Sequence, residues 1–370
     1  MKIVKKYSGD KWSKSFNSWN HLNTPIYFHL SESKSLRTLI SSLKAGANSL
    51  YHAGIGNISL NNFSHANSKR DSRIFEDLYY HLQNKFENTY KGTKPFRFNN
   101  NVKAVDATTI SLSMSLFKWA KFRSTKSGIK LHTEYNLDTE SPGTIIITNA
   151  NTHDTKGIKK FKIEKDTIYI LDRAYCDTKT LYSLVKNDAF YVTRLKSNFK
   201  YKIVKRNKVS KKQKEQGVKT DWIIKFANEK YYNYPKTLRL IRYVDKDTGK
   251  EFLFITNITK LVAKTIADIY KKRWTVETFF KELKQNLKIG HFIGNNENAV
   301  RIQIWTALIV FMLYKWHQYL LRLKFGFTEF ISKVKINLFK RLSLGKILTE
   351  AYYKDKMLKH QAKVMQGLLW

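Results

Sequence analysis

The stretch Thr167-Ile-Tyr-Ile-Leu-Asp-Arg-Ala-Tyr175 decides the fold: from Thr167 to Asp172 it is a strongly apolar strand that ends on an acid. A helix is expected after it, from about Asp177 to Asn187, and then a further strand, Ala189 to Leu195. Before it, Val102 to Leu112, Ile129 to Leu137 and Thr144 to Ala150 read as strands, and Asp154 to Phe161 as a short helix. Three strands followed by alternating helix and strand predict a mixed α/β sheet.

Outward from this core the texture changes twice. Residues 1–95 look helical: Ser33 to Leu43 and Ser72 to Leu82 carry apolar residues at helical spacing, and Ser59 precedes another short helical pattern after the break at Gly54, Gly56 and Asn57. A helix-turn-helix style DNA-binding unit and a plain helical support domain both fit. Residues 196–260 are rich in Lys and Tyr, with strand-like stretches at Trp222 to Phe226, Thr237 to Val244 and Glu251 to Thr256, and a hairpin turn at Asp247, Thr248 and Gly249. After Leu261 the pattern is helical, with one long helix from Ala263 to Leu287 and a second, mostly buried one from Ala299 to Leu323. The expected layout is therefore a helical domain (1–95), the first part of an α/β core (96–195), a β-rich insertion (196–260), the helical remainder of the core (261–325) and a helical tail (326–370).

The chain has 68 Lys and Arg against 29 Asp and Glu, a formal net charge of +39, yet 42% of it is hydrophobic and 14% aromatic. That is a folded chain with a cationic surface rather than a disordered polycation. DNA, RNA and an anionic membrane all suit such a field, and nucleic acid suits an excess of this size best. The single cysteine, Cys176, excludes internal disulfides and cysteine zinc sites and fits a reducing cytosol. No signal peptide is expected in the polar start, Met1 to Lys14. The most apolar run, Ile304 to Tyr314, is too short to span a membrane and reads as a buried helix.

Three acids carry the chemistry. Asp106 follows the apolar residues Val102, Ala104 and Val105, and Asp172 ends the stretch quoted first. A carboxylate at the end of a buried strand requires a partner, a hydrogen bond or a cation. One such acid alone reads as a cap or turn residue. Two in one α/β unit favour a divalent-metal site, and oxygen ligands suit Mg²⁺ or Mn²⁺. A helix supplies the third: Tyr270, Arg273, Glu277 and Lys284, at offsets of three, seven and fourteen residues, fall within roughly 60° on one helix face. Glu277 completes a metal site in this reading, while Arg273 and Lys284 hold phosphates beside it.

The ungapped run from Tyr270 through Arg273 and Glu277 to Lys284 resembles the Tyr-Arg-Glu-Lys signature of the insertion-sequence-four family of DDE transposases. Asp106 in Val-Asp-Ala-Thr and Asp172 in Leu-Asp-Arg-Ala-Tyr look like that family's first and second catalytic acids. The segment from Lys5 to Leu82, with Ser35-Leu36-Arg37, Tyr51-His52 and Asn67 to Asp71, is similar to the N-terminal domain of one subgroup, whose members often begin with further helical sequence. The resemblance covers most of the chain and is weakest after about Gly326.

The resemblance implies a ribonuclease-H-like core interrupted by the β-rich insertion. It implies cut-and-paste movement of an insertion sequence bounded by terminal inverted repeats, with a hairpin at the transposon end. Two metal ions between Asp106, Asp172 and Glu277 would serve in-line displacement at phosphorus. Tyr270, Arg273 and Lys284 would grip phosphates near the cleaved end, and Trp274 or Trp222 would stack on a flipped base; core packing is the competing role for Trp274. Arg173 and Arg194 are expected to face the DNA backbone, as is Lys130, which shares a strand face with His132. His132 and His153 are left outside the metal site, and Lys211, Lys212 and Lys214 read as a solvated loop. The partners implied are duplex DNA with inverted-repeat ends, target DNA and a second copy of the chain on DNA, in the bacterial cytoplasm at the nucleoid. A ribonuclease-H-like nuclease without sequence preference and a non-catalytic DNA-binding protein are the alternatives. The first gives no reason for the insertion or the cationic stripe, and the second none for three intact acids.

Overall fold

The apolar stretch before Asp172 forms the strand Ile168–Leu171, buried at every position, with a parallel partner on each side. The computed structural model describes residues 2–50, 54–197, 199–227, 234–338 and 346–348. Tyr51 and His52, and most of the expected tail, lie outside these. In chain order the elements begin with six helices: α1 (Lys2–Lys6), α2 (Ser18–Leu30), α3 (Leu36–Ala45), α4 (Ala47–Leu50), α5 (Leu60–Lys69) and α6 (Arg73–Thr89). Next come β1 (Val102–Leu112), β2 (Lys121–Arg123), β3 (Lys126–Asn136), β4 (Ser141–Asn149), α7 (Asp154–Ile158), β5 (Ile168–Leu171), α8 (Thr178–Lys186) and β6 (Phe190–Arg194). The chain continues with β7 (Tyr201–Arg206), α9 (Lys211–Glu215), β8 (Val218–Phe226), β9 (Leu238–Val244) and β10 (Glu251–Thr256). Four helices follow: α10 (Ala263–Lys271), α11 (Trp274–Asn286), α12 (Glu297–Leu320) and α13 (Phe327–Ile336).

These elements sort into two units. One comprises residues 91–111 and 122–280, the other residues 1–90, 112–121 and 281–370.

The first unit is built on a mixed ten-stranded sheet of order β2-β3-β1-β5-β6-β10-β9-β8-β7, with β4 paired to β3. The expected mixed α/β architecture is therefore present. At its centre β1, β5 and β6 are parallel, which explains why the middle strand, β5, runs apolar without alternation: both its faces are covered. Asp177 starts α8 by accepting the backbone N–H groups of Lys179 and Thr180. The strands of residues 196–260 continue this sheet: β10 pairs antiparallel with β6, and β9, β8 and β7 follow as an antiparallel meander. The β9–β10 turn closes with Gly249 at φ +68, the left-handed conformation that favours glycine.

The second unit is helical. Asn17, Ser35 and Ser59 cap α2, α3 and α5 with their side chains. Its central helix is α12, packed against α2, α5 and α6. By length and composition α12 passes as a membrane span, but 83% of its most apolar window is buried inside the protein, as a core helix is. His29, fully buried on α2, ties into this core: its Nε2 stands 3.0 Å from the Gln303 carbonyl, and its Nδ1 accepts the Lys288 N–H.

Candidate active site

Strand register brings the first two acids together. Val105 of β1 lies opposite Leu171 of β5, so one step further sets Asp106 opposite Asp172. Ile170 lies opposite Val192 of β6, so two steps further set Arg194 opposite Asp172. Residues opposite one another on neighbouring strands, ~4.8 Å apart, point to the same face. Asp106, Asp172 and Arg194 thus make a row where the parallel pairing ends, at the carboxyl ends of β5 and β6 and midway along β1, the side on which open α/β sheets hold their ligands. Arg194 Nη2 is 3.4 Å from Asp172 Oδ1. Asp172 opens a one-turn helix, Arg173–Tyr175, yet its carboxylate makes no capping bond, so the role of a simple cap is not the one it fills.

The third acid arrives from the helices. Tyr270, buried on α10, packs its ring 4.9 Å from Phe254 of β10. One turn later Arg273, with a side chain only 7% exposed, reaches Glu277 Oε1 at 2.6 Å, Asp106 Oδ2 at 3.4 Å and Asp172 Oδ1 at 4.0 Å. One guanidinium therefore serves all three acids. The sequence predicts one continuous helix from Ala263 to Leu287; the structure instead divides it into α10 and α11. Arg273 N–H bonds to the Tyr270 carbonyl and Thr275 N–H to the Lys272 carbonyl, the tighter three-residue pattern. No Gly or Pro marks this place, and the break coincides with the residue drawn to the acids of β1 and β5. Glu277 falls in the first turn of α11, where the helix dipole favours a carboxylate.

The charges strain against one another. Burial, helped by the nearby charges of Asp172 and Glu277, pushes Asp106 up to about 6, although the Ala107 N–H and Arg273 oppose the shift. Burial alone would lower the Arg273 pKa, but the bond to Glu277 and the surrounding negative charge hold it above its ordinary value. Among the described residues no three His, Cys, Asp or Glu side chains are grouped tightly enough to form a ready-made ion cage. The donor set nevertheless fits a hard divalent cation: three carboxylates, oxygen donors only, with uncompensated negative charge registered at Asp106. The buried Arg194 Nε and Arg273 Nε have no hydrogen-bond partner among the described residues.

The other residues singled out in the sequence divide. Trp274 is 62% exposed, with Arg273 5.5 Å from its ring, so it does not pack in the core. Lys284 is exposed on α11, in the part of that helix assigned to the helical unit. Arg173 is exposed beside Asp172 and donates to Ser197 Oγ at 3.3 Å. Lys130 is held by Asp154 and the Thr152 carbonyl, each at 2.9 Å, because a half-buried ammonium needs a counter-charge. His132 is buried against Thr148, and His153 caps α7. Trp222 is half-buried and packs against the hydrophobic core of the sheet. Two residues that the sequence did not flag, Lys196 and Ser197, line a pocket with Asp172, Arg173 and Arg194. The available signal was spacing: Lys196 follows Arg194 by two residues, the same-side interval of an extended chain.

With this geometry the chain can be set beside known proteins. Residues 98–313 match the family of transposase DDE domains, and residues 1–56 match a domain of unknown function. A protein of Sinorhizobium fredii, named as transposase y4zB, is 33% identical over 66% of this chain and 69% of its own length. A protein of Geobacillus stearothermophilus, named as a transposase for insertion sequence element IS5377, is 29% identical over 60% of this chain and 58% of its own. A third, from Synechocystis and named as a transposase for insertion sequence element IS4SA, is 27% identical over 70% of this chain and 71% of its own. The solved piggyBac transposase synaptic complex with hairpin DNA is a remote likeness, with a TM-score of 0.45 and 12% identity over 95% of this chain and 77% of that one. The DDE match spans more than half of the residues and includes all three acids: this chain belongs to the DDE transposases, enzymes that act on DNA with a divalent metal to cut it and rejoin it.

Proposed function

We propose that this chain moves an insertion sequence of the insertion-sequence-four type by cut and paste, with Asp106, Asp172 and Glu277 as its catalytic acids on a ribonuclease-H-like core. The convergence of the three acids on the one guanidinium of Arg273 carries this proposal. The spacing of Tyr270, Arg273, Glu277 and Lys284 supports the family assignment, as do the names of the relatives from Geobacillus and Synechocystis.

In this proposal the three acids hold two Mg²⁺ or Mn²⁺ ions, which when bound activate water or a DNA 3′-hydroxyl and stabilise the leaving oxygen. The chain's own residues do the positioning. Arg273, close to the rings of Tyr270 and Trp274, holds the three acids with its guanidinium and sets a positive charge beside a phosphate bound at them. Lys284 and Tyr270 extend the grip, and Arg173 and Arg194 face the backbone, whereas Lys130, expected beside them, is taken up by Asp154 and the Thr152 carbonyl. Trp274, exposed next to Arg273, offers a stacking face for a base turned out of the duplex, which supports a hairpin at the cleaved end.

The substrates are duplex DNA with terminal inverted repeats and a target duplex. Two copies of the chain hold the two ends on DNA, the helical segment 1–95 contributes to end recognition, and the reaction belongs in the bacterial cytoplasm at the nucleoid.

The test is Glu277→Gln, assayed with Mg²⁺ on linear DNA carrying the repeats that bracket the reading frame. End cleavage should fall on the order of 10³-fold or more while end binding stays intact. Cleavage at the wild-type rate would remove Glu277 from the site.

A further inference from the structure

We infer that the pocket beside Asp172 is a seat for a single DNA backbone phosphate, separate from the Arg273 grip and built by Arg173, Arg194, Lys196 and Ser197. The inference rests on the chain acting on DNA and deepens that proposal by assigning a second phosphate subsite.

The pocket is open, about 470 Å³ in volume, and formed by two stretches: Asp172 to Ala174, and Arg194 to Ser197 at the end of β6. The two walls are cross-linked. Arg173 Nη2 donates to Ser197 Oγ at 3.3 Å, and Lys196 Nζ donates to the Ala174 carbonyl at 3.3 Å. Both cations are thus oriented by neutral acceptors, which hold them in place without cancelling their charge. Asp172 is the sole carboxylate in the lining, and it faces Arg194 at 3.4 Å. Asp177, the next acid along, is committed to capping α8. Three cations against one carboxylate leave the pocket positive.

Some cations of the same unit have their charge met by an acid, Lys130 by Asp154, Arg242 by Glu251 and Lys264 by Asp268, whereas Arg173 and Lys196 meet neutral acceptors. Two guanidinium forks, an ammonium and a hydroxyl around one opening suit the several acceptor oxygens of a phosphodiester. Nothing in the lining is shaped to read a base, so the seat holds DNA without selecting sequence.

Sheet order gives the seat its place. Asp106 lies on the β1 side of Asp172 and the pocket on the β6 side. A strand whose reacting phosphate is at the acids therefore reaches the seat with a neighbouring phosphate. That neighbour is held while the reacting one is attacked, which fixes the line of approach.

The experiment uses the full chain carrying R173A and K196A together, both side chains at least partly exposed, with circular dichroism and melting checked against wild type. Binding of a random-sequence linear duplex is measured without divalent metal as a function of salt. For one phosphate lost, the slope of log K against log salt should fall by about 0.9. On repeat-ended DNA, replacing single phosphates by neutral methylphosphonates should reveal one position that weakens wild-type binding and is silent in the variant. The conservative pair R173K and K196R should keep the slope. An unchanged slope in the alanine variant, or a phosphate scan identical to wild type, overturns the seat. A wild-type protein that obeys the phosphate scan but never cleaves repeat ends in Mg²⁺ breaks the proposed function and leaves the seat standing.

Discussion

Arg273 is the residue on which the site turns. Its side chain is 7% exposed and lies within 4.0 Å of three carboxylates, so its removal leaves like charges facing one another in a partly buried place. Arg273→Ala is expected to lower end cleavage on the order of 10²–10³-fold, measured at saturating DNA and metal. Arg273→Lys should recover little, because an ammonium cannot fork toward two oxygens at once. Asp172 was legible as a strand-end acid and Asp106 as an acid following buried strand residues, although β1 runs on past it to Leu112; Glu277 was read as part of one helical stripe, which the break before α11 divides. The sharing of one guanidinium was not legible, since Arg273 and Asp106 are 167 residues apart in the chain and only tertiary packing joins them. A second prediction at this scale concerns pH. Burial holds His21 and His29 down at about 3, assisted at His21 by Arg70 and at His29 by Lys288. Their folded pKa values lie below the ordinary 6.5, so the stability they contribute is present above pH 6.5 and is lost as pH falls toward 3. By pH ~4.5 each should have withdrawn roughly 2–3 kcal/mol. Denaturant unfolding at pH 7 and pH 4.5 measures this, and His21→Leu should flatten the acid limb by about half.

At the level of elements, the sheet of residues 196–260 is coupled to the helix that leads to the acids. Arg239 on β9 forms a buried bidentate pair with Asp221 on β8, at 2.6 and 2.9 Å, and donates to the Leu261 carbonyl just before α10. Asp221→Ala leaves that guanidinium buried and unpaired, and should destabilise this unit by about 3–5 kcal/mol in chemical denaturation. Gly217 joins α9 to β8 at φ +98, where a Cβ would come within 2.2 Å of the Val244 carbonyl oxygen. Gly217→Ala should therefore cost about 2 kcal/mol or more in the same measurement. The strands themselves were legible: β10 spans the residues expected, and the Asp247-Thr248-Gly249 turn sits between β9 and β10. The pairing of β10 with β6 was not, because alternation within a strand fixes its faces but not its neighbour. The same limit applies to α12. A helix buried nearly all round carries no polar face to say what covers it, and its packing against α6 is a fact of the fold alone.

For the whole molecule, a net charge of +39 sets the first encounter with DNA. Affinity for random duplex should fall on the order of a thousandfold between about 50 and about 200 mM salt, as expected when several phosphates lose their counterions to lysine and arginine. Composition made this legible; the grouping of residues far apart in sequence into each of the two units was not. The sheet has one more consequence. Among the described residues it ends at β7, which has a partner strand only on its β8 side, while Ile203 and Val204 are 39% and 58% exposed. Such a margin invites another chain to add itself as the next strand, and Lys202, Lys205 and Arg206 stand along it as guards. Neutralising those three charges should increase self-association over wild type, with light scattering rising more steeply with concentration. The cationic surface that draws in DNA would then also be what keeps neighbouring copies from stitching their sheets into aggregates.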